Sequence, residues 1–312
     1  MIEHGLKGIT SYTFYDNGRM EKCRLSAYNV IPTKYGYLVP QYRNPGIRRK
    51  DSKALSFYPS GRLRSISLDR QTGITTSVGI FPAELISFYE DGSIDSLFPL
   101  NGRISFSWSE EEEGQLAGKY DFDFPFGKFQ AKISGLRFYP DGSLKSLILW
   151  PGEIIRLHTP AGWLPVRIGF KLYEDGSLES VEPAEPVYVN TPAGLIKAYD
   201  TAAIGVDADR NSLRFDRKGN LLSLATSGDI LVVNKVSGEK RVISSVIRPG
   251  LMEEDFVRLP VRIAFMDQKI NIGNGKEQAG FLAEECLLDI AYDRVLGERA
   301  CYGDCSLCKG CL

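Results

Sequence analysis

Apolar and polar residues alternate along most of this chain in short runs, and turn residues break the runs into pairs. One phrase recurs: "FYDNGRMEKC", "FYPSGRLRSI", "FYEDGSIDSL", "FYPDGSLKSL", "LYEDGSLESV" and "FDRKGNLLSL", with turn glycines Gly18, Gly61, Gly92, Gly142, Gly176 and Gly219. An aromatic or apolar strand end leads into the turn and a period-two apolar run follows it, which predicts a β-hairpin at each site. Pro140 suits the first central position of a type I turn and Asp141 the second. Gly142 then supplies the left-handed residue of a three-residue loop with a bulge. Alternation places Leu136 and Phe138 on one face of the sheet and Arg137 and Tyr139 on the other. Tyr15, Tyr58, Tyr89, Tyr139 and Tyr173 thus form one column, which can serve as a binding surface or pack between repeats; packing is the expectation.

A second phrase sits between the first ones. "HTPAGWLPVRIGF" and "NTPAGLIKAYD" share a turn at Thr159 to Gly162 and at Thr191 to Gly194. "LPVRI" recurs at Leu259 to Ile263, so "VRIAFMDQKINIG" predicts one more strand pair whose turn has lost its glycine. The uneven spacing of the turn glycines excludes a propeller of equal blades and fits an array of hairpins that tolerates loop insertions.

The phrase "FYPDGSLKSL" resembles the MORN-type repeat and its bacterial variants, including the hairpin repeats of YwqK-like antitoxins. The resemblance covers six short phrases between roughly residues 10 and 225. It implies an elongated antiparallel sheet of successive hairpins, used for binding partners and not for catalysis, and it leaves an antitoxin-like role as one alternative. MORN units follow a short fixed period, whereas these are longer and irregular.

Near the end, "EQAGFLAEECLLDIAYDRVLGERA" spaces Leu282, Cys286, Ile290 and Val295 at helical intervals, which predicts a helix capping the open end of the sheet. Cys286 would lie on its apolar face as a small hydrophobe, and Cys23 reads as structural too. The expected fold is therefore all-β: an elongated antiparallel sheet of successive β-hairpin repeats over residues 1–275, then one C-terminal helix and a metal-binding tail over 276–312.

Composition adds bounds. The chain has 312 residues, 43% hydrophobic and 25% charged, with a formal net charge of -1. That balance predicts no general attraction to nucleic acid or to acidic membranes. Neither a secretory leader nor a membrane span is expected, which points to the cytoplasm, where thiols stay reduced. "SEEEEGQLAG" reads as a solvated loop tip, and "RNPGIRRKDSK" from Arg43 to Lys53 as an exposed connection. Only two histidines are present, His4 and His158, so His-based triads and His-rich metal sites have little to build from. "IGNGKEQAG" lacks the spacing of a phosphate-binding loop.

The chemical signal is the tail "CYGDCSLCKGCL", with Cys301, Cys305, Cys308 and Cys311 spaced C-x3-C-x2-C-x2-C. Structural zinc sites pair two C-x2-C knuckles across a longer loop, and no such loop exists here. Tightly spaced thiolates suit an iron-sulfur cluster, and these gaps are the reverse of the bacterial ferredoxin spacing. A 4Fe-4S cluster on these four cysteines is the expectation, with zinc, disulfides, a reactive tail or a site completed by a partner as alternatives. The C-x3-C-x2-C spacing also matches radical S-adenosylmethionine enzymes, but the partial barrel that follows it in those proteins has no counterpart here. The functional expectation is a non-enzymatic scaffold for protein-protein interaction that carries the cluster; the alternative is an electron-transfer protein that docks a partner on the sheet.

Overall fold

The computed structural model describes residues 5–44, 46–49, 53–102, 104–203, 211–249 and 256–292. They are mostly β, as the alternation demands. The chain divides into two units, Met1–Ala184 with Ile204–Asn211 and Phe215–Asn220, and Glu185–Ala203 with Ser212–Arg214 and Leu221–Leu312.

The first unit contains β1 (Ile9–Phe14), β2 (Met20–Leu25), β3 (Ile31–Thr33), β4 (Gly36–Leu38), β5 (Leu55–Phe57), β6 (Leu63–Thr76), β7 (Gly79–Phe88), β8 (Ile94–Phe98), α1 (Glu110–Leu116), β9 (Lys119–Phe124), β10 (Gly127–Phe138), β11 (Leu144–Leu149), β12 (Ile155–Thr159), β13 (Gly162–Leu172) and β14 (Leu178–Pro183). Antiparallel pairings connect β1, β2, β5, β6, β7, β8, β10, β11, β13 and β14 in that order. The hairpins β9–β10 and β12–β13 extend the long strands at the opposite end from the glycine turns. One face holds the core: Phe57, Ile66, Ile86, Leu97, Leu136, Leu147, Phe170 and Val181 are fully buried.

Each glycine turn has the geometry its sequence predicts. In "YPDGS" the Gly142 amide donates to the Tyr139 carbonyl at 2.9 Å and the Tyr139 amide to the Ser143 carbonyl at 2.8 Å. Gly142 has φ +87°, the left-handed region that a side chain strains. Asp141 Oδ1 accepts from the amide of Ser143 at 2.8 Å and from its hydroxyl at 2.7 Å, an Asx turn that fixes the loop.

The tyrosines pack between repeats and also staple them. The hydroxyl of each donates to the carbonyl just before the next turn: Tyr15 to Phe57, Tyr58 to Phe88, Tyr89 to Phe138, Tyr139 to Leu172 and Tyr173 to Phe215, at 2.7–2.9 Å. The last phrase has Asp216 in place of tyrosine and ends the series. Lys145 and Arg217 lie over the rings of Tyr139 and Tyr173 at 5.7 and 4.6 Å, so the cations cover this face of the sheet.

The second unit holds β15 (Val187–Thr191) paired with β16 (Gly194–Ala198), and β17 (Leu213–Phe215) begins there. It continues with β18 (Leu221–Thr226), β19 (Asp229–Asn234), β20 (Lys240–Ile243), β21 (Val246–Pro249), β22 (Phe256–Leu259), β23 (Val261–Met266), β24 (Lys269–Gly273), β25 (Gln278–Leu282) and β26 (Cys286–Tyr292). The expected strand pair in "VRIAFMDQKINIG" is present as β23–β24, and Asp267 takes the left-handed conformation, φ +48°, in place of a glycine.

Among the described residues, which end at Tyr292, strands stand where the C-terminal helix was expected. Within the described part of that segment, 278–282 and 286–292 are strands; β25 pairs with β24, and β26 with β19 in the register Asn234↔Cys286 and Val232↔Leu288. A run of seven apolar-rich residues serves either element, and the partner strand β19 decides it. Among the described residues the one α-helix is α1, inside the segment expected to be a loop tip. Ser109 and Glu112 form a reciprocal capping box, and four glutamates occupy the first turn, where the helix dipole favours them.

Candidate functional site

The four tail cysteines, Cys301, Cys305, Cys308 and Cys311, lie outside the described residues, as does His4. The two other cysteines are inside the folded units and inert. Cys23 is 1% exposed, and burial pushes its thiol up to about 11; burial also raises Cys286, which is 2% exposed on β26 and not turned toward solvent as a ligand would be. Among the described residues no three of His, Cys, Asp and Glu converge as a metal site. His158 is an exposed residue on β12, its ring 5.3 Å from that of Trp163.

Two charged clusters of the first unit were not legible as such. The first corrects, at Arg48, Arg49 and Glu113, the reading of "RNPGIRRKDSK" as an exposed connection and of "SEEEEGQLAG" as a solvated loop tip, while Glu110, Glu111 and Glu112 are exposed. Arg48 forks to both oxygens of Glu84 at 2.9 Å, and its Nε and Nη2 donate to both oxygens of Glu113 at 2.8 Å. Glu113 also accepts from the Gly102 amide at 2.9 Å and the Trp108 indole at 2.7 Å, while Glu84 accepts from the Asn101 amide at 2.8 Å. A Cβ on Gly102 would lie 2.1 Å from the Glu113 carboxyl, so only glycine admits this approach. Arg49 Nη1 donates to the Leu68 carbonyl at 2.7 Å. The side chains are 18% exposed at Arg48, 9% at Glu84 and 3% at Glu113. Burial works against the charge of Arg48, yet its hydrogen bonds to Glu84 and Glu113 outweigh that and raise its pKa above the ordinary arginine value. Each carboxylate already accepts several hydrogen bonds and faces a permanent cation. This cluster fastens the 46–49 segment and the α1 insertion to β7.

The second cluster is open. The β3–β4 hairpin bends to the edge carrying the glycine turns, held there by the Ile94 amide, which donates to the Tyr35 hydroxyl at 3.0 Å. Its tip and two successive turns enclose a cleft of about 670 Å³, with Pro32, Leu63 and Phe88 as apolar lining and Lys34, Arg62, Glu90 and Asp91 around them. Lys34 Nζ stands 3.8 Å from Asp91, with side chains 59% and 56% exposed. Arg62 Nη1 donates to the Glu90 carbonyl at 2.9 Å, leaving the rest of its fork toward solvent. Hydrogen bonds from the Ser93 hydroxyl and amide hold the Asp91 carboxyl below its usual range, so this wall keeps its negative charge.

A pattern missed in the sequence marks a third feature. Beyond the two "TPAG" turns, "TKYG" and "TSVG" have the same geometry: the threonine hydroxyl donates to the glycine carbonyl at 2.7–2.9 Å in all four. The residue after the glycine is large, apolar and exposed each time: in the first unit Tyr37 at 79%, Ile80 at 70% and Trp163 at 58%, and in the second unit Leu195 at 53%. Threonine, glycine and a following apolar residue are the signal that would have found them.

The chain was compared with protein-family models, curated proteins and solved structures, and none matches it.

Proposed function

We propose that this protein is a binding scaffold without catalysis of its own, whose hairpin array receives an extended segment of a partner protein and whose tail holds an iron-sulfur cluster on Cys301, Cys305, Cys308 and Cys311. The cleft beside the β3–β4 tip is the observation that carries the reading. Its apolar lining, flanked by charges of both signs, suits a peptide that offers an apolar side chain between oppositely charged neighbours. The resemblance of the turn phrases to MORN-type repeats points the same way. The tail's spacing and its four thiols support the cluster.

Anaerobic purification with iron, sulfide and zinc analysis tests the tail: the expected protein is brown, and a Cys305→Ala variant loses the colour. A colourless, zinc-loaded protein would sink the iron-sulfur reading, and a cluster that shuttles electrons reversibly with a docked partner would favour the electron-transfer alternative. A peptide array tests the cleft: binders are expected to combine an apolar residue with flanking charges and to weaken on Arg62→Glu. Binding indifferent to that change would place recognition elsewhere.

A further inference from the structure

The tyrosine staple has an unfilled first position. In the later phrases the residue before the turn is Phe57, Phe88, Phe138, Leu172 or Phe215; each is at most 3% exposed, and its carbonyl takes a tyrosine hydroxyl. In the first phrase that residue is Phe14, which is 54% exposed, and among the described residues no tyrosine hydroxyl reaches its carbonyl. Tyr12, two residues earlier on the same face, is 57% exposed although its cross-strand neighbour Cys23 is buried. The two rings lie 5.1 Å apart. β1 pairs with β2 on one side and with no other strand among the described residues. The core face of the sheet therefore runs on to an uncovered edge.

That edge carries a bulge between Ile9 and Ser11 but no charge or proline over the Tyr12–Phe14 stretch. "ITSYTF" has no lysine, no other charge and no proline, and it is rich in β-branched and aromatic residues, which favour strand pairing. We propose that β1 is a self-association edge, at which the β1 strands of two copies pair antiparallel about a two-fold axis and cover each other's Tyr12 and Phe14. A two-fold axis perpendicular to the sheet makes like strands antiparallel and keeps the same face of both copies on one side. This continues the alternation and the strand-to-strand contact that β2–β5, β8–β10 and β11–β13 make between repeats inside the chain. An uncharged strand meets its own copy without like-charge repulsion. A head-to-tail stack through the staple is not open to a second copy, because all five tyrosines are engaged within their own chain and the last phrase offers Asp216.

Light scattering on the full chain, under reducing conditions so that tail cysteines do not cross-link, tests this over a dilution series. The expected mass approaches twice the 34.7 kDa of one chain at high concentration and falls toward one on dilution. The double variant Tyr12→Lys, Phe14→Lys should run as a monomer with an unchanged circular dichroism spectrum and unfolding transition, while Tyr37→Lys, exposed but off this edge, should leave the dimer intact. A wild-type monomer at every concentration overturns the proposal and leaves the edge to a strand of another protein. A dimer that survives the double lysine variant overturns it too.

Discussion

Two clusters in the first unit have nearly the same composition and opposite surroundings. Arg48 and Arg49 with Glu84 and Glu113 are buried; Lys34 and Arg62 with Glu90 and Asp91 line an open cleft. In the first, two permanent cations face two carboxylates that also accept from the Asn101 and Gly102 amides and the Trp108 indole, and only Arg49 Nε, 3.7 Å from Glu84, lies buried without a hydrogen bond. In the second, the ion pair is loose at 3.8 Å, and water or a ligand can compete for it. Charge count does not separate a closed cluster from an open one. The number of hydrogen-bonding sites already used does.

The sharpest way to break the contrast is Arg48→Ala. It leaves Glu84 and Glu113 buried with their main counter-charge gone, a loss on the order of 3–5 kcal/mol for a buried pair. Urea unfolding should show the transition shifted far to lower denaturant; a shift no larger than that of a surface variant would mean that the cluster is not what holds the 46–49 segment. An intermediate case is Tyr139→Phe. It removes one hydroxyl that the Leu172 carbonyl accepts at 2.9 Å and keeps the ring beneath Lys145. The expected cost is about 1 kcal/mol in the same measurement, the net worth of one hydrogen bond. A cost near zero would show that the staple orders the turns without stabilising them.

The contrast also marks what the sequence can show. The hairpin turns were legible because their chemistry is local: aspartate, glycine and serine close the loop within five residues, as Asp141, Gly142 and Ser143 do. The buried charges were not, because Arg48 and Glu113 meet across 65 positions, and four consecutive glutamates do not reveal which one turns inward. The capping box from Ser109 to Glu112 was open to reading and argued for a helix against a loop. At the other end, the spacing of Leu282, Cys286 and Ile290 mimicked a helix, while the deciding fact, pairing of β26 with β19, is non-local. The tail's cysteine spacing is plain in the sequence, and its geometry falls outside the described residues.

The smallest expected effect on folding tests the open side. Lys34 is 59% exposed and its pair with Asp91 is solvated, so Lys34→Ser should change stability by no more than about 0.5 kcal/mol, within the range of ordinary surface substitutions. The Tyr35 hydroxyl would still accept from the Ile94 amide, so the β3–β4 tip stays in place and the cleft keeps its apolar lining. What changes is one wall's charge. A peptide that uses an acidic flank against Lys34 should then bind more weakly, with most of the difference lost at high salt, because an exposed charge contact is screened over about 10 Å at 0.1 M ionic strength. If the variant unfolds as readily as Arg48→Ala, the cleft residues are structural after all and the two clusters differ only in depth. If it folds normally and every peptide binds as before, the cleft is a gap between turns, and recognition belongs to the exposed Ile80 and Trp163 on the opposite edge of the same strands.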